Sequence, residues 1–299
     1  MEKEGLPMAK DIIMFDSNSE LPWELQEQFQ APYVGMPYIL NDEEKAYDLG
    51  KQTDIKAFYD QVRAGNLPKT NTLPPSYYEE FWRPMLQAGS NILFIMFSSG
   101  LSGAYDLVTM ARENILKEFP ERKIILVDTR SISMGCGLLV YYALNMFHSG
   151  SSIEEVAQWL EDNKMRVNHW FVVDDLMHLY RGGRLSATSA IFGSILEVKP
   201  VLTVNREGKL QPVEKIKGKK KVIRRMTQIV AERVENPEEQ VCVILHADSE
   251  EAARQLEASI REQGIPFKEI WVRWVGPVIG SHAGPGTLAV LFMGKERDQ

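Results

Sequence analysis

Two apolar runs of strand length constrain this chain more than any other feature. Residues 91–97 (NILFIMF) and 123–127 (KIILV) are continuous rather than alternating. Each is followed by a short polar loop and then a helical segment, at 104–118 and 133–146. A strand that is apolar at successive positions is buried on both faces, and strands alternating with helices return in parallel. An earlier run, DIIMF at 11–15, ends at Asp16-Ser17 and adds a third strand to the same sheet. Helices are expected at 54–63, with Thr53 or Asp54 as N-cap, and at about 77–88. Ligands of such sheets bind at the carboxyl ends of the strands. Here those ends are Asp16-Ser17, the loop 98–103 and Asp128-Thr129.

The rhythm changes after an amphipathic helix at 152–165. A strand at 169–173 leads through 176–180 into Arg181-Gly182-Gly183-Arg184. An apolar helix at 187–196 follows, and 200–205 with 209–216 reads as a hairpin around Arg206-Glu207-Gly208. Helices at 219–234 and 250–263 then alternate with strands at 241–246, 267–275 and 288–293. Hairpins mixed with helices imply a sheet that is at least partly antiparallel. The expected fold class is α/β in two domains. Residues 1–165 form an N-terminal parallel sheet flanked by helices, and residues 166–299 a C-terminal mixed α/β domain.

Composition excludes several functions. The 299 residues carry a net charge of −7 with pI near 5.4, which disfavours a general nucleic-acid binder. No apolar run approaches the roughly 20 residues of a membrane span. The first residues, MEKEG, do not read as a signal peptide. Cys136 and Cys242 lie in apolar segments and read as buried thiols in a reducing cytoplasm. Two cysteines and five scattered histidines give no metal-binding spacing, so no metal is expected.

Four segments could carry chemistry. Ser98-Ser99-Gly100-Leu101-Ser102-Gly103 joins a strand to a helix, where backbone amides and hydroxyls suit an anion. It reads equally as a capped turn, and it has neither P-loop spacing nor a nucleophile elbow. His282 sits among three glycines and a proline at 279–286, a loop costly for a simple turn. Thr70-Asn71-Thr72 precedes Pro74-Pro75 and either caps the next helix or turns hydroxyls into a crevice. Between 215 and 225 there are seven basic residues and no acidic one, so the rest of the chain carries −14 against the total of −7. Those lysines fall on the first turn of a helix, against its dipole, which favours a surface that meets a phosphate or an acidic partner. Gly135-Cys136-Gly137 lacks the third glycine of a dinucleotide fingerprint and reads as close packing.

Taken together, these motifs resemble the DegV family. The resemblance runs over some 270 residues, in order: Asp16-Ser17; Ser98 to Tyr105; Asp128-Thr129 with Ser133 to Val140; Leu179 to Ser186; Val198 to Leu202; Gly218 to Lys221; and the loop 279–286. It implies a DegV-like pair of domains with a lipid tunnel between them, holding one long-chain fatty acid. It further implies a non-catalytic, cytoplasmic carrier that presents the acyl carboxylate to a separate fatty acid kinase, whose acyl-phosphate feeds phospholipid synthesis. By position, Thr70 or Thr72, Ser98 or Ser99, and His282 would hold the carboxylate. Arg181, Arg184, Lys217, Lys219, Lys220 and Lys221 would face the kinase. Ile191, Phe192, Ile195 and Leu196 are candidates for lining the tail, although so apolar a helix is core by default. No cofactor, nucleic acid or integral membrane association is implied.

A serine-dependent acyl-ester hydrolase stays open as the alternative. Ser98 or Ser99 would be its nucleophile, His282 its base, and Asp16 or Asp128 the orienting carboxylate. A DNA-binding regulator acting through residues 215–225 is a third reading, opposed by the acidic remainder.

Overall fold

The computed structural model describes residues 11–186 and 198–297. The first half runs β1 (Ile12–Asp16), α1 (Trp23–Phe29), β2 (Tyr33–Val34), β3 (Pro37–Leu40), β4 (Glu43–Ala46), α2 (Ile55–Arg63), β5 (Lys69–Thr70) and α3 (Pro75–Gln87). It continues with β6 (Ile92–Met96), α4 (Ala104–Glu118), β7 (Ile124–Asp128), α5 (Ser133–His148) and α6 (Ile153–Asn163). The second half holds β8 (Val167–Val172), α7 (Leu176–Arg181), β9 (Val198–Val204), β10 (Leu210–Lys217), α8 (Lys219–Arg233) and β11 (Val241–His246). It ends with α9 (Glu250–Glu262), β12 (Glu269–Trp274), α10 (Pro277–Ala283) and β13 (Leu288–Met293).

The continuous apolar runs are central strands, as expected. β6 is buried along its whole length between β1 and β7, in a parallel sheet of order β2-β1-β6-β7. The chain places β2 on one side of β1 and β6 on the other, so the order reverses between β1 and β6. A crevice opens at the carboxyl ends of strands at such a reversal. The strands from β8 onward form a second sheet of order β10-β9-β8-β13-β11-β12, antiparallel except for β11 against β12. The expected hairpin is β9 with β10, Leu210 lying opposite Val204. Period two explains the apolar β11 and β13. Ile244, Val290 and Phe292 face outward beneath α8 and α9, while Val243, Leu245 and Leu291 face inward toward the first sheet.

One piece was not legible. Residues 31–40 carry two prolines, Pro32 and Pro37, and no strand period, yet β3 pairs with β4 and β5 in a small antiparallel sheet. β4 is Glu-Glu-Lys-Ala and wholly exposed, so it has no apolar period to detect. Its pairing with β3 matters because β3 also holds β5, with Tyr38 opposite Thr70. The helix starts were clearer. Asp54 accepts from Ala57 N, and Ser152 forms a reciprocal capping box with Glu155.

The two sheets are joined by backbone contacts at the strand ends. The β9–β10 tip lies on the loop after β6, where Ser98 Oγ donates to Gly208 O at 2.8 Å. A Cβ on Gly100 would stand 2.5 Å from Glu207 O, so only glycine admits that approach. Arg297 draws three segments together, donating to the carbonyls of Arg130, Asn205 and Lys164. Glu20 bridges from the other side, accepting from Gly276 N and from the Ser133 hydroxyl. Burial pushes the Glu20 carboxyl up from 4.5 to about 8.

The unfolded chain loses the Glu20 proton near pH 4.5 and the folded chain keeps it to about 8. The folded state therefore binds more protons in this window, and stability falls as pH rises through it. Urea midpoints of the wild type should decline between about pH 5 and 8, and Glu20→Gln should reduce that slope. Equal slopes in the two proteins would refute the assignment.

Candidate functional site

A cavity of about 310 Å³ lies between the inward face of the mixed sheet and the carboxyl ends of the parallel strands. Its floor is apolar. Phe171, Ala289 and Leu245 stand side by side across β8, β13 and β11, with Leu291 beyond them. Asn18, Phe97, Leu101, Ser102, Ile132 and Ser133 face it from the ends of β1, β6 and β7. Thr70, Asn71 and Thr72 enter from the small sheet, and Val278, Ile279 and His282 from α10. The sequence reading had assigned roles to Thr70, Thr72 and His282 among these, and the structure brings them together.

His282 Nε2 and Thr70 Oγ1 are 2.8 Å apart. The histidine was expected in a loop. It sits instead in the last turn of α10, which starts with Pro277 as its first residue and stops at Gly284, φ 75°. The glycines suggested a loop, but Gly280 lets the helix press against Tyr59, whose hydroxyl would lie 2.4 Å from an added Cβ. Tyr59 also donates to Val275 O at 2.9 Å. Tertiary packing thus overrides weak helix propensity. A Cβ on Gly182 would stand 2.2 Å from His282 Nδ1, so that glycine is needed for the imidazole to fit. Nδ1 has no hydrogen-bond partner among the described residues. Burial, with the neighbouring Arg184 charge, lowers the His282 pKa from 6.5 to about 4. In the tautomer protonated at Nε2, the ring donates to Thr70 Oγ1 and leaves the threonine hydroxyl proton for a ligand oxygen.

The other expected residues are placed as follows. Thr72 lines the cavity from an exposed position, and Asn71 donates to Glu44 at 2.9 Å. Ser98 and Ser99 are not among the described residues lining it. Ser98 is committed to Gly208 O, and Ser99 N donates to Asp128 Oδ1 at 3.2 Å. The pairing a hydrolase needs is therefore absent among the described residues, since His282 is on Thr70 and Ser98 on a backbone carbonyl. Asp16 accepts from Asn18 N and Phe97 N, and Asp128 pairs with Arg130. Arg184, expected on a partner-facing surface, is instead half-buried in the cavity wall, donating to Leu101 O and Gly182 O. Its place follows from the chain turning inward after Gly183, φ 72°. Arg181, Lys217, Lys219, Lys220 and Lys221 are exposed, while Arg225 of the same basic run pairs with Glu214 and Glu232. Ile191, Phe192, Ile195 and Leu196 lie outside the described residues.

Asn18, Ser133 and His169 also line the cavity. Asn18 was within reach, two positions beyond a strand end already marked. Ser133 starts α5 immediately after the third strand end. His169 has no motif around it in the sequence. It is buried beside α5, where Ile132 N donates to its Nε2 at 3.3 Å and a Cβ on Gly135 would stand 2.0 Å away. Gly135 therefore serves close packing, as expected. Cys136 and Cys242 are free and buried. Among the described residues no group of three or more His, Cys, Asp or Glu could hold a metal ion. No described helix is long and apolar enough to cross a membrane.

Residues 11–295 match the family described as "uncharacterised protein, DegV family". A DegV domain-containing protein of Clostridium perfringens is 40% identical over 291 residues, covering 97% of this chain and all of that one. Among solved structures, a DegV family protein from Thermus thermophilus, described by its fatty acid binding, superposes with a TM-score of 0.82. It is 27% identical and spans 96% of this chain and 100% of its own. DegV of Bacillus subtilis, described as a fatty acid binding protein, gives a TM-score of 0.80 at 28% identity, spanning 97% and 100%. The chain belongs to the DegV family.

The buried imidazole supplies a direct check on the geometry. With its pKa near 4, His282 is neutral throughout the ordinary range. Its ring carbon resonances should stay constant between about pH 5.5 and 8 in a two-dimensional NMR titration. A midpoint near the ordinary histidine value would mean the ring is not enclosed as described.

Proposed function

We propose that this chain binds one long-chain fatty acid in the cavity between its sheets. The carboxylate sits at the Thr70–His282 end, and the tail lies along Phe171, Ala289, Leu245 and Leu291. One observation carries the reading: an apolar cavity whose hydrogen-bonding side chains converge from β5, α10 and the strand-end loops. A buried carboxylate without donors costs several kcal/mol. Hydroxyls and strand-end amides supply those donors. A tail contributes roughly 0.8 kcal/mol per buried methylene, so about 14 methylenes give on the order of 11 kcal/mol before ordering costs. The fatty-acid-binding relatives from Thermus thermophilus and Bacillus subtilis support the same reading.

In this reading the chain is a cytoplasmic carrier and not itself a catalyst. Residues 1–165 act as the domain that carries the carboxylate-binding loops, joined there by His282, and residues 166–299 as the domain that lines the tail and bears the basic segment. The carrier presents the carboxylate to a separate fatty acid kinase, which forms an acyl-phosphate for phospholipid synthesis. Arg181, Lys217, Lys219, Lys220 and Lys221 form the docking face. Supporting this, Gly218 starts α8 without a side-chain cap and three lysines crowd its first turn. That arrangement opposes the helix dipole and gains a partner's negative charge.

Two experiments test these steps separately. Protein purified without detergent, extracted and analysed by mass spectrometry, should yield about one equivalent of fatty acid, as a ligand held by this much buried tail dissociates slowly. Protein that carries none, and binds none added after delipidation, overturns the reading. Lys219→Glu with Lys220→Glu should leave fatty-acid occupancy intact and cut acyl phosphorylation by about tenfold or more. Unchanged phosphorylation removes the docking face and leaves fatty-acid binding standing.

A further inference from the structure

α10 supplies Val278, Ile279, His282 and Ala283 to the cavity wall. Its start is held by the other half of the molecule, which grips the two residues before it from three sides. Tyr59 on α2 donates its hydroxyl to Val275 O at 2.9 Å. The Tyr47 ring lies so close to Gly276 that an added Cβ would stand 2.4 Å from its Cζ. Glu20, after β1, accepts from Gly276 N across 256 positions of sequence, and its other oxygen is tied to Ser133. Gly276 offers no side-chain cap and Pro277 has no N–H, so the Gly276 amide is the first donor of α10, and Glu20 takes it. A ladder runs on from there. Gly280 N donates to Gly276 O at 2.8 Å, and Gly284 N to Gly280 O at 2.9 Å. His282 stands on that ladder, about 9 Å of helix rise from Gly276.

We propose that Glu20 is a positioning residue for the candidate site: by holding the backbone at the start of α10, it sets the place at which His282 meets Thr70. The consequence for a ligand rests on the fatty-acid reading above, whereas the consequence for the imidazole does not. Little slack is available at that end. His282 Nε2 is 2.8 Å from Thr70 Oγ1, and the ring lies so close to Gly182 that only glycine fits there. A shift of α10 by about one ångström would break the first contact or crowd the second. Glu20 itself is built for a fixed place. It is buried, and its φ of 56° lies in the left-handed region, which a side chain of this kind seldom takes unless its surroundings impose it. Burial raises its carboxyl to about 8, so near pH 6 the group that holds Gly276 is neutral. It therefore grips the amide without bringing a charge into the seam. The titratable groups beside it are the hydroxyls of Tyr47 and Tyr59, raised by burial first and by Glu20 second.

The test reads the His282 ring in full-length protein freed of lipid, by an NMR pH titration assigned with His282→Gln. In Glu20→Ala the ring should leave Thr70 and meet water, and its midpoint should rise from about 4 by roughly one pH unit or more. Glu20→Gln keeps a neutral acceptor for Gly276 N and should keep the wild-type midpoint. A role confined to stability would lower the urea midpoint of Glu20→Ala and leave the ring of its folded form unchanged. That result overturns the proposal, as does a Gln variant that behaves like the Ala variant. The wild type decides even where Glu20→Ala fails to fold. Its Gly276 amide should exchange with deuterium about a hundredfold or more slower than in the unfolded chain at pH 6, and an unprotected amide overturns the proposal. Loaded with palmitic acid, Glu20→Ala should release it about fivefold or more faster than the wild type, and equal rates overturn the positioning role. A wild type that takes up no palmitic acid sinks the fatty-acid reading instead, and the ring titration still judges Glu20.

Discussion

The structure depends on a close backbone contact between two sheets that do not stack face to face. The carboxyl ends of the parallel strands meet the inward face of the mixed sheet. Contact is made by Ser98 on Gly208, by Gly100 against Glu207, and by Glu20 on Gly276. Loop tips and helix ends touch in these places, but they cannot fill the space between them. Sheets that stack directly interdigitate their side chains and leave little void. Sheets that meet end to face leave an apolar floor uncovered, and Phe171, Ala289 and Leu245 are that floor. The cavity is a consequence of how the halves meet rather than of any one residue.

The same seam sets the electrostatics. Four ionisable groups enclosed there are pushed toward their neutral forms, because the charged form has lost water. Asp16 and Glu20 rise, and His282 and His169 fall. Among the described residues that line the cavity, Arg184 alone retains a charge, since guanidinium gives up its proton at far higher pH.

Much of this was legible because the relevant signals are local. Residues 92–97 and 124–127 have no polar position, and strands without one must be central. Asp54 and Ser152 stand directly before amphipathic segments and cap them. The strand-end rule marked Asp16-Ser17 and the loop at 98–103. Other features were not legible, and each has a nonlocal cause. β4 is polar and exposed, so only its pairing with β3 makes it a strand. His282 belongs to a helix because Gly280 packs against Tyr59, more than two hundred residues earlier. Gly100 and Ser98 read equally as an anion cradle or a capped turn, and their contacts with the β9–β10 tip are announced by no local pattern. Arg184 is adjacent to surface residues in sequence, but Gly183 turns it inward.

The sequence by itself determined most of the elements, the order of alternating strands and helices, and the family. Those follow from hydrophobic period, caps and motifs read within a few residues of one another. Only the tertiary structure decided which face of each strand meets the cavity and which polar residues share it. Thr70 and His282, 212 positions apart, are joined by a single hydrogen bond. The reason is physical. Period and capping are set by neighbours along the chain, whereas burial, and with it the protonation of Glu20, His282 and Arg184, is set by which distant surface closes over each group.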